Sequence, residues 1–144
     1  MSEAPVEIVR AAFAAYSGGG LEAVMPSFAP DAVWYFDADE WVEDLAYRGH
    51  DGIRAAHAVW VSNLEGFGWE VHEIRDLGER VLVLADITGS VRDSGAPARV
   101  SMNLIVEVGG DLVREVHTFM DLQRALAAAE VRPPAGGVGG SPNR

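Results

Sequence analysis

"VLVLADITGSV", residues 81–91, decides the fold. Its first five residues are all apolar, the composition of a strand buried on both faces. Asp86 and Thr88 then follow at a spacing of two. A carboxylate in such a strand needs either a polar partner or a cavity to face. The same period of two extends outward from this stretch. Upstream, "WEVHEIRDLG" (69–78) is a strand that runs into a turn, the period changing to two from Gly66 onward. Downstream, "RDSGAP" (92–97) is a hairpin loop carrying Gly and Pro. "ARVSMNLIVEV" (98–108) alternates, with Val100, Met102, Leu104 and Val106 on one face and Arg99, Ser101 and Asn103 on the other. "GGD" turns the chain into a last strand, "LVREVHTFMD" (112–121).

The first half has helical spacing. In "APVEIVRAAFAAYSGGG" (4–20), Val6, Val9, Phe13 and Tyr16 form a stripe, Pro5 suits a first turn and three glycines end it. "LEAVMPSF" (21–28) is a short second helix, and "AVWYF" (32–36) an aromatic, β-branched strand. "DADEWVEDLAY" (37–47) fits neither period and reads as an acidic loop whose aromatics dip toward apolar surface. "GHDGIRAAHAVWVSNL" (49–64) is a helix with Asp51 as its expected N-cap and a stripe of Ile53, Ala56, His57, Trp60, Val61 and Leu64. "LQRALAAAE" (122–130) is a short terminal helix. The Pro/Gly-rich 131–144 reads as a flexible tail after a single domain over 1–130.

The chain has 144 residues, a net charge of −11 and no cysteine, and all 11 of its basic residues are arginine. This balance argues against nucleic acid or an anionic membrane surface as partner. The absence of cysteine excludes disulfides and thiolate chemistry. Four scattered histidines without H-x-H or HExxH spacing give no expectation of a metal site, and no glycine-rich phosphate loop suggests a cofactor. The first twenty residues show no signal-peptide pattern, so the expected location is cytoplasmic.

Helices grouped before strands imply an α+β fold: a curved antiparallel sheet, covered by helices on one face, with a pocket on the concave side. "YRGHDGIRAAH", "DLGERVLVLADITGSVRDSGAP" and "VEVGGDLVREVHTFMDLQRAL" resemble the SnoaL-like branch of the nuclear-transport-factor-2-like superfamily, over roughly residues 5–130. The resemblance implies a cone-shaped (cystatin-like) sheet wrapped around three helices. It implies no single activity, because that fold hosts polyketide cyclases, ketosteroid isomerases, limonene-epoxide hydrolases and non-catalytic proteins. Carried over by register, the epoxide-hydrolase positions are occupied here by Trp34, Phe36, Leu84, Asp86 and Thr118, and only Asp86 keeps the residue type. Epoxide hydrolysis is therefore not expected.

The register places Leu84, Asp86 and Thr88 on the concave face, beside Val100, Met102 and Leu104, with Val116, Thr118 and Met120 from the last strand. There Asp86 is the candidate general base for proton abstraction beside a carbonyl, and the alternative is a solvated Asp on the outer face, or one bonded to a neighbouring Arg or backbone amide. His57, on the apolar stripe, is a candidate partner for Asp86, or else a core histidine bonded to the backbone. His117 falls on the outer face with Glu115, and a one-residue slip would bring it into the pocket instead of Thr118. Trp34, Phe36, Trp41, Tyr47, Trp60 and Phe119 are candidates for an aromatic wall. The expected function is a pocket for a small hydrophobic molecule, either as a cofactor-free isomerase, cyclase or lyase or as a non-catalytic binding protein. An interaction domain, dimeric through the outer face of the sheet, is the third reading.

Overall fold

A computed structural model describes residues 4–36 and 46–130. Trp41, the greater part of the acidic segment and the 131–144 tail lie outside the described residues. Helix α1 (Pro5–Gly19) is followed by α2 (Leu21–Val24), which tightens into a single 3-10 turn at Met25–Ser27. Strand β1 (Phe28–Phe36), the short β2 (Ala46–Arg48) and α3 (Gly49–Asn63) complete the first half. The second half is β3 (Leu64–Asp76), β4 (Arg80–Val91), β5 (Pro97–Ser101), β6 (Asn103–Gly109), β7 (Leu112–Phe119) and α4 (Leu122–Glu130). No helix among the described residues is long and apolar enough to cross a membrane.

The seven strands form one curved, open sheet in the order β2-β1-β7-β6-β4-β3, with β5 continuing the β6 edge along β4. All pairs are antiparallel except β1–β7, which is parallel. The α+β class and the helix-covered curved sheet are as the sequence led us to expect. The single strand expected over 98–108 is two, because Met102 breaks the ladder. There the Asn103 side chain substitutes for backbone: its Oδ1 accepts from the Ala85 amide at 3.3 Å, and its Nδ2 donates to the Phe119 carbonyl at 3.2 Å. Asn103 is accordingly buried, not part of a wet outer face. Helix α3 begins at Gly49 rather than at an Asp51 cap. Asp51 lies in its first turn and accepts from Arg54 at 3.2 Å.

Two apolar clusters sandwich the sheet. On the concave side, Val81, Val83, Ala85 and Ile87 pack with Met102, Leu104, Val106, Val113 and Val116 against α1, α2 and α3. On the convex side, Leu82, Ile105 and Phe119 pack under α4, with Leu84 beside them. The concave register of β4 is thus one residue away from the expected one: Leu84, Asp86 and Thr88 face outward. The reason is that α4 covers the convex face over Leu82 and Leu84. With both faces apolar, the run 81–85 carries no alternation from which a face can be read. Phe119 belongs to the convex cluster and not to an aromatic pocket wall. Met120, 41% exposed, lies beyond the end of β7.

Candidate functional site

The concave cluster is not completely filled. A cavity of about 100 Å³ remains between α1, α3 and the sheet. Helix α1 contributes Phe13 and Tyr16 from its apolar stripe, and α3 contributes Ile53, Ala56, His57 and Trp60 from its own. These stripes recur at three- and four-residue spacing, so each helix turns one continuous face inward. The sheet supplies Trp34 and Phe36 from β1, Phe67 and Trp69 from β3, and Ile87, Met102 and Leu104 from the strands beyond. Among the described residues, no carboxylate, guanidinium or ammonium group lines the cavity. Its walls are aliphatic and aromatic apart from the tips of Tyr16, His57 and the tryptophans.

One polar contact dominates the helix side. Tyr16 Oη and His57 Nε2 are 2.6 Å apart, and the two rings meet edge to face at 5.6 Å. Phe67 sits edge-on to His57 at 5.5 Å. Partial burial pushes the His57 pKa below its ordinary 6.5 and the Tyr16 pKa above its ordinary 10.0, since it strips away part of the water that would stabilise either ion. Both side chains are therefore neutral at pH 7. One hydrogen is shared between them, leaving hydrogen-bonding capacity on the tyrosine oxygen for a guest. A shallow outer groove beside Gly20 and Gly68 shares Phe13, Tyr16, Phe67 and Trp69 with the cavity. These four rings line both spaces. Phe13 and Trp69 pack edge to face at 5.6 Å, and Phe67 and Trp69 at 6.3 Å.

Of the residues singled out from the sequence, Trp34, Phe36, Trp60, Met102 and His57 all lie in the cavity wall. Thr118 is fully buried on the concave side, next to Phe36 on β1 and Leu104 on β6. Tyr47, on β2, meets Phe36 edge to face at 5.7 Å from behind the lining. Tyr16 was not singled out, because a Tyr closing an apolar helical stripe reads as core. The available signal was its hydroxyl, which a buried position obliges to find a partner.

Asp86 is not in the cavity. It lies on the convex face, where its Oδ2 accepts from His72 Nε2 at 3.0 Å and from an Arg99 Nη at 2.9 Å. Arg99 also pairs with Glu70. The hydrogen bond from His72, then that from Arg99, hold the Asp86 carboxyl below its ordinary 3.8. This carboxylate is ionised, satisfied and aimed away from the cavity, so it cannot abstract a proton there, and His57 pairs with Tyr16 instead. His72 shares the face of Glu70, which pairs with Asp86, and so reaches the carboxylate; the bulge between Val71 and Glu73 shifts the register beyond it. Thr88 shares that face. His117 is on the outer face, as expected, bonded to Glu115 at 2.9 Å and stacked on Tyr35 at 4.8 Å. Among the described residues, Glu70, His72 and Asp86, and separately Glu107, Glu115 and His117, bring metal-ligating atoms within 4.8 Å of one another. In the first group Arg99 already supplies the positive charge.

The fold can be set beside known proteins. An NTF2-like protein from Burkholderia thailandensis E264 superposes with a TM-score of 0.71 at 22% identity, covering 91% of this chain and 99% of that one. A putative SnoaL-like polyketide cyclase from Jannaschia sp. CCS1 superposes at 0.68, with 22% identity and coverages of 90% and 93%. A protein with a ketosteroid isomerase-like fold from Catenulispora acidiphila DSM 44928, in complex with trimethylamine, superposes at 0.65, with 22% identity and coverages of 88% and 98%. At these identities the likeness establishes the fold alone. No curated protein sequence is significantly similar to the chain. The family model for the SnoaL-like domain matches residues 9–116, from α1 through the middle of β7. With three quarters of its length inside that match, and with the helix-covered curved sheet the family shares, the chain belongs to the SnoaL-like domain family.

Proposed function

We propose that the protein binds a small, neutral, largely apolar molecule in the cavity between α1, α3 and the sheet. The observation that carries this reading is a cavity whose wall, among the described residues, is apolar with no charged side chain and one neutral polar pair, Tyr16–His57. Its size sets the ligand class. Apolar cavities of about 150 Å³ stay dry and hold benzene. A cavity of about 100 Å³ suits a guest of roughly one ring, with slight yielding of the walls. An anion is disfavoured because nothing in the wall would compensate for its lost hydration.

The 2.6 Å Tyr16–His57 contact also favours a second reading, cofactor-free proton transfer of the isomerase, cyclase or lyase kind, with His57 as the base in place of Asp86. A neutral imidazole in an apolar site is a competent base, and the tyrosine fixes its orientation. Under this reading His57→Leu abolishes turnover of a bound ketone. Under the binding reading it changes affinity only.

Titration with benzene and with benzoate, followed by tryptophan fluorescence, tests the proposal. Benzene is expected to saturate a single site and benzoate to show no binding there. Benzene affinity should hold at neutral pH and fall only in acid below the ordinary histidine range, because burial lowers the His57 pKa and a proton there places a cation in the wall. Equal binding of benzoate, or no binding of either compound, contradicts the reading.

A further inference from the structure

Two clusters on the convex face each bring a histidine together with two carboxylates, and they differ in what holds the carboxylates together. In the cluster of Glu70, His72 and Asp86, the Arg99 guanidinium pairs with both acids. In the cluster of Glu107, Glu115 and His117, the group between the two acids is the imidazole itself. Its Nε2 lies 2.9 Å from a Glu115 oxygen and 3.8 Å from a Glu107 oxygen. Glu107 and Glu115 are direct partners across the β6–β7 ladder, an arrangement in which like charges repel. Burial, then the Glu115 charge, push the Glu107 carboxyl above its ordinary 4.5, while the nearby His117 and Arg80 draw it back. Arg80 itself donates to the Ala129 carbonyl at 3.1 Å. His117 follows Glu115 by two residues, so its ring projects from the same face of the sheet. Tyr35, its partner on β1, stacks on that ring at 4.8 Å and fixes its plane. All three side chains are partly buried, and all three stand on adjacent central strands of the sheet.

We propose that Glu107, Glu115 and His117 form a binding site for a divalent transition-metal ion of the zinc type, on the convex face and independent of the cavity. The spacing of the donors fits. Zinc holds nitrogen and oxygen ligands at about 2.0–2.2 Å in a tetrahedron, which sets donor atoms about 3.3–3.5 Å apart. The 2.9 and 3.8 Å separations at His117 bracket that value, and the three ligand atoms all lie within 4.8 Å of one another. Small rotations of the two glutamates complete the geometry without moving the strands. The charge fits as well, since a dication replaces the repulsion of two facing carboxylates with attraction. The imidazole selects the class of ion. A neutral ring with its hydrogen on Nδ1 presents a lone pair at Nε2, which suits zinc, whereas calcium and magnesium take oxygen ligands. Three protein ligands leave at least one position on the ion for water.

Titration of the untagged, chelator-treated full chain with zinc chloride, followed by calorimetry, tests the proposal, with cobalt(II) chloride as a spectroscopic probe. One zinc ion per chain is expected at this site, and bound cobalt should show the visible absorption of a four-coordinate ion with nitrogen and oxygen ligands. His117→Ala and Glu115→Gln should each weaken zinc binding by at least about tenfold, the scale on which losing even an outer-shell partner is felt. His72→Ala, in the cluster that Arg99 already holds, should leave it unchanged. In the wild-type protein the His117 ring resonances should move on addition of zinc while those of His72 stay in place, a readout that does not depend on the variants folding. Absence of zinc binding overturns the proposal. Binding lost in His72→Ala and kept in His117→Ala also overturns it, by placing the ion in the other cluster. Weak binding that no single variant alters, with no shift at His117, means an adventitious ion only and overturns it equally.

Discussion

Ala85→Asp will leave the chain without a stable folded state, while Asp86→Ala, one position along, will cost no more than about 2 kcal/mol. The contrast follows from the register of β4. Ala85 is 1% exposed and faces the helices amid Val83, Ile87 and Met102. A carboxylate there loses its hydration and meets no cation, a penalty of several kcal/mol against a total stability of about 5–15 kcal/mol. Asp86 sits instead in a surface network whose partners, His72 and Arg99, have side chains about half exposed. Pairs of that kind contribute about 0–1 kcal/mol each at best. Urea unfolding followed by far-ultraviolet circular dichroism reads both variants. A folded Ala85→Asp beside an unfolded Asp86→Ala would mean that β4 turns its other face to the helices, and the cavity as described would not exist.

Ala56→Leu is expected to stabilise the protein and abolish its ligand binding. Ala56 is 3% exposed on the inward face of α3 and forms part of the cavity wall. Leucine is nearly as good a helix former as alanine, so the substitution acts on packing rather than on the helix. Its three added carbons enter a space of about 100 Å³ that the wild-type protein leaves open. Cavity filling of this kind commonly adds about 0.5–2 kcal/mol. The same atoms occupy the volume that a one-ring ligand requires, so benzene affinity should fall by at least about tenfold, the guest losing more than 1.4 kcal/mol of its contacts. Thermal unfolding with and without benzene shows both effects: a higher midpoint for the variant, and loss of the benzene-induced rise. A lower midpoint would indicate overpacking of a space that is already full. A higher midpoint with the benzene response intact would place the ligand elsewhere.

How far the sequence could be read depended, element by element, on whether a segment buries one face or two. Arg99 and Ser101 keep one side of β5 polar, so the alternation that starts there placed Met102 and Leu104 correctly beside the cavity, although β6 itself buries both faces, with Ile105 under α4. The α3 stripe of Ile53, Ala56, His57 and Trp60 was equally plain, since its outward face is exposed. β4 was not legible, because α4 packs on the side opposite the main core and makes 81–85 apolar throughout. An acidic residue just past the edge of that cover then looked like one facing a cavity. The partners of the polar groups were hidden for a different reason. Tyr16 and His57 are 41 residues apart in sequence, and only the packing of α1 and α3 across the same sheet brings them together. The His72–Asp86 pair depends on the pairing register of β3 with β4, which no single segment reveals. The resemblance to SnoaL-like proteins identified the frame; the side chains that line it differ enough from the epoxide-hydrolase set that the chemistry had to be read from the cavity itself.

The central claim is that a neutral, ring-sized guest occupies the space enclosed by α1, α3 and the concave face of the sheet. A crystal of the protein soaked in iodobenzene tests it most directly, because the iodine's anomalous signal locates the ring without interpretation of weak density. The account predicts a single iodine peak within contact distance of Ile53, Ala56, Met102 and Trp34. An empty cavity, or a peak only on the convex face near Asp86 and His72, would contradict it.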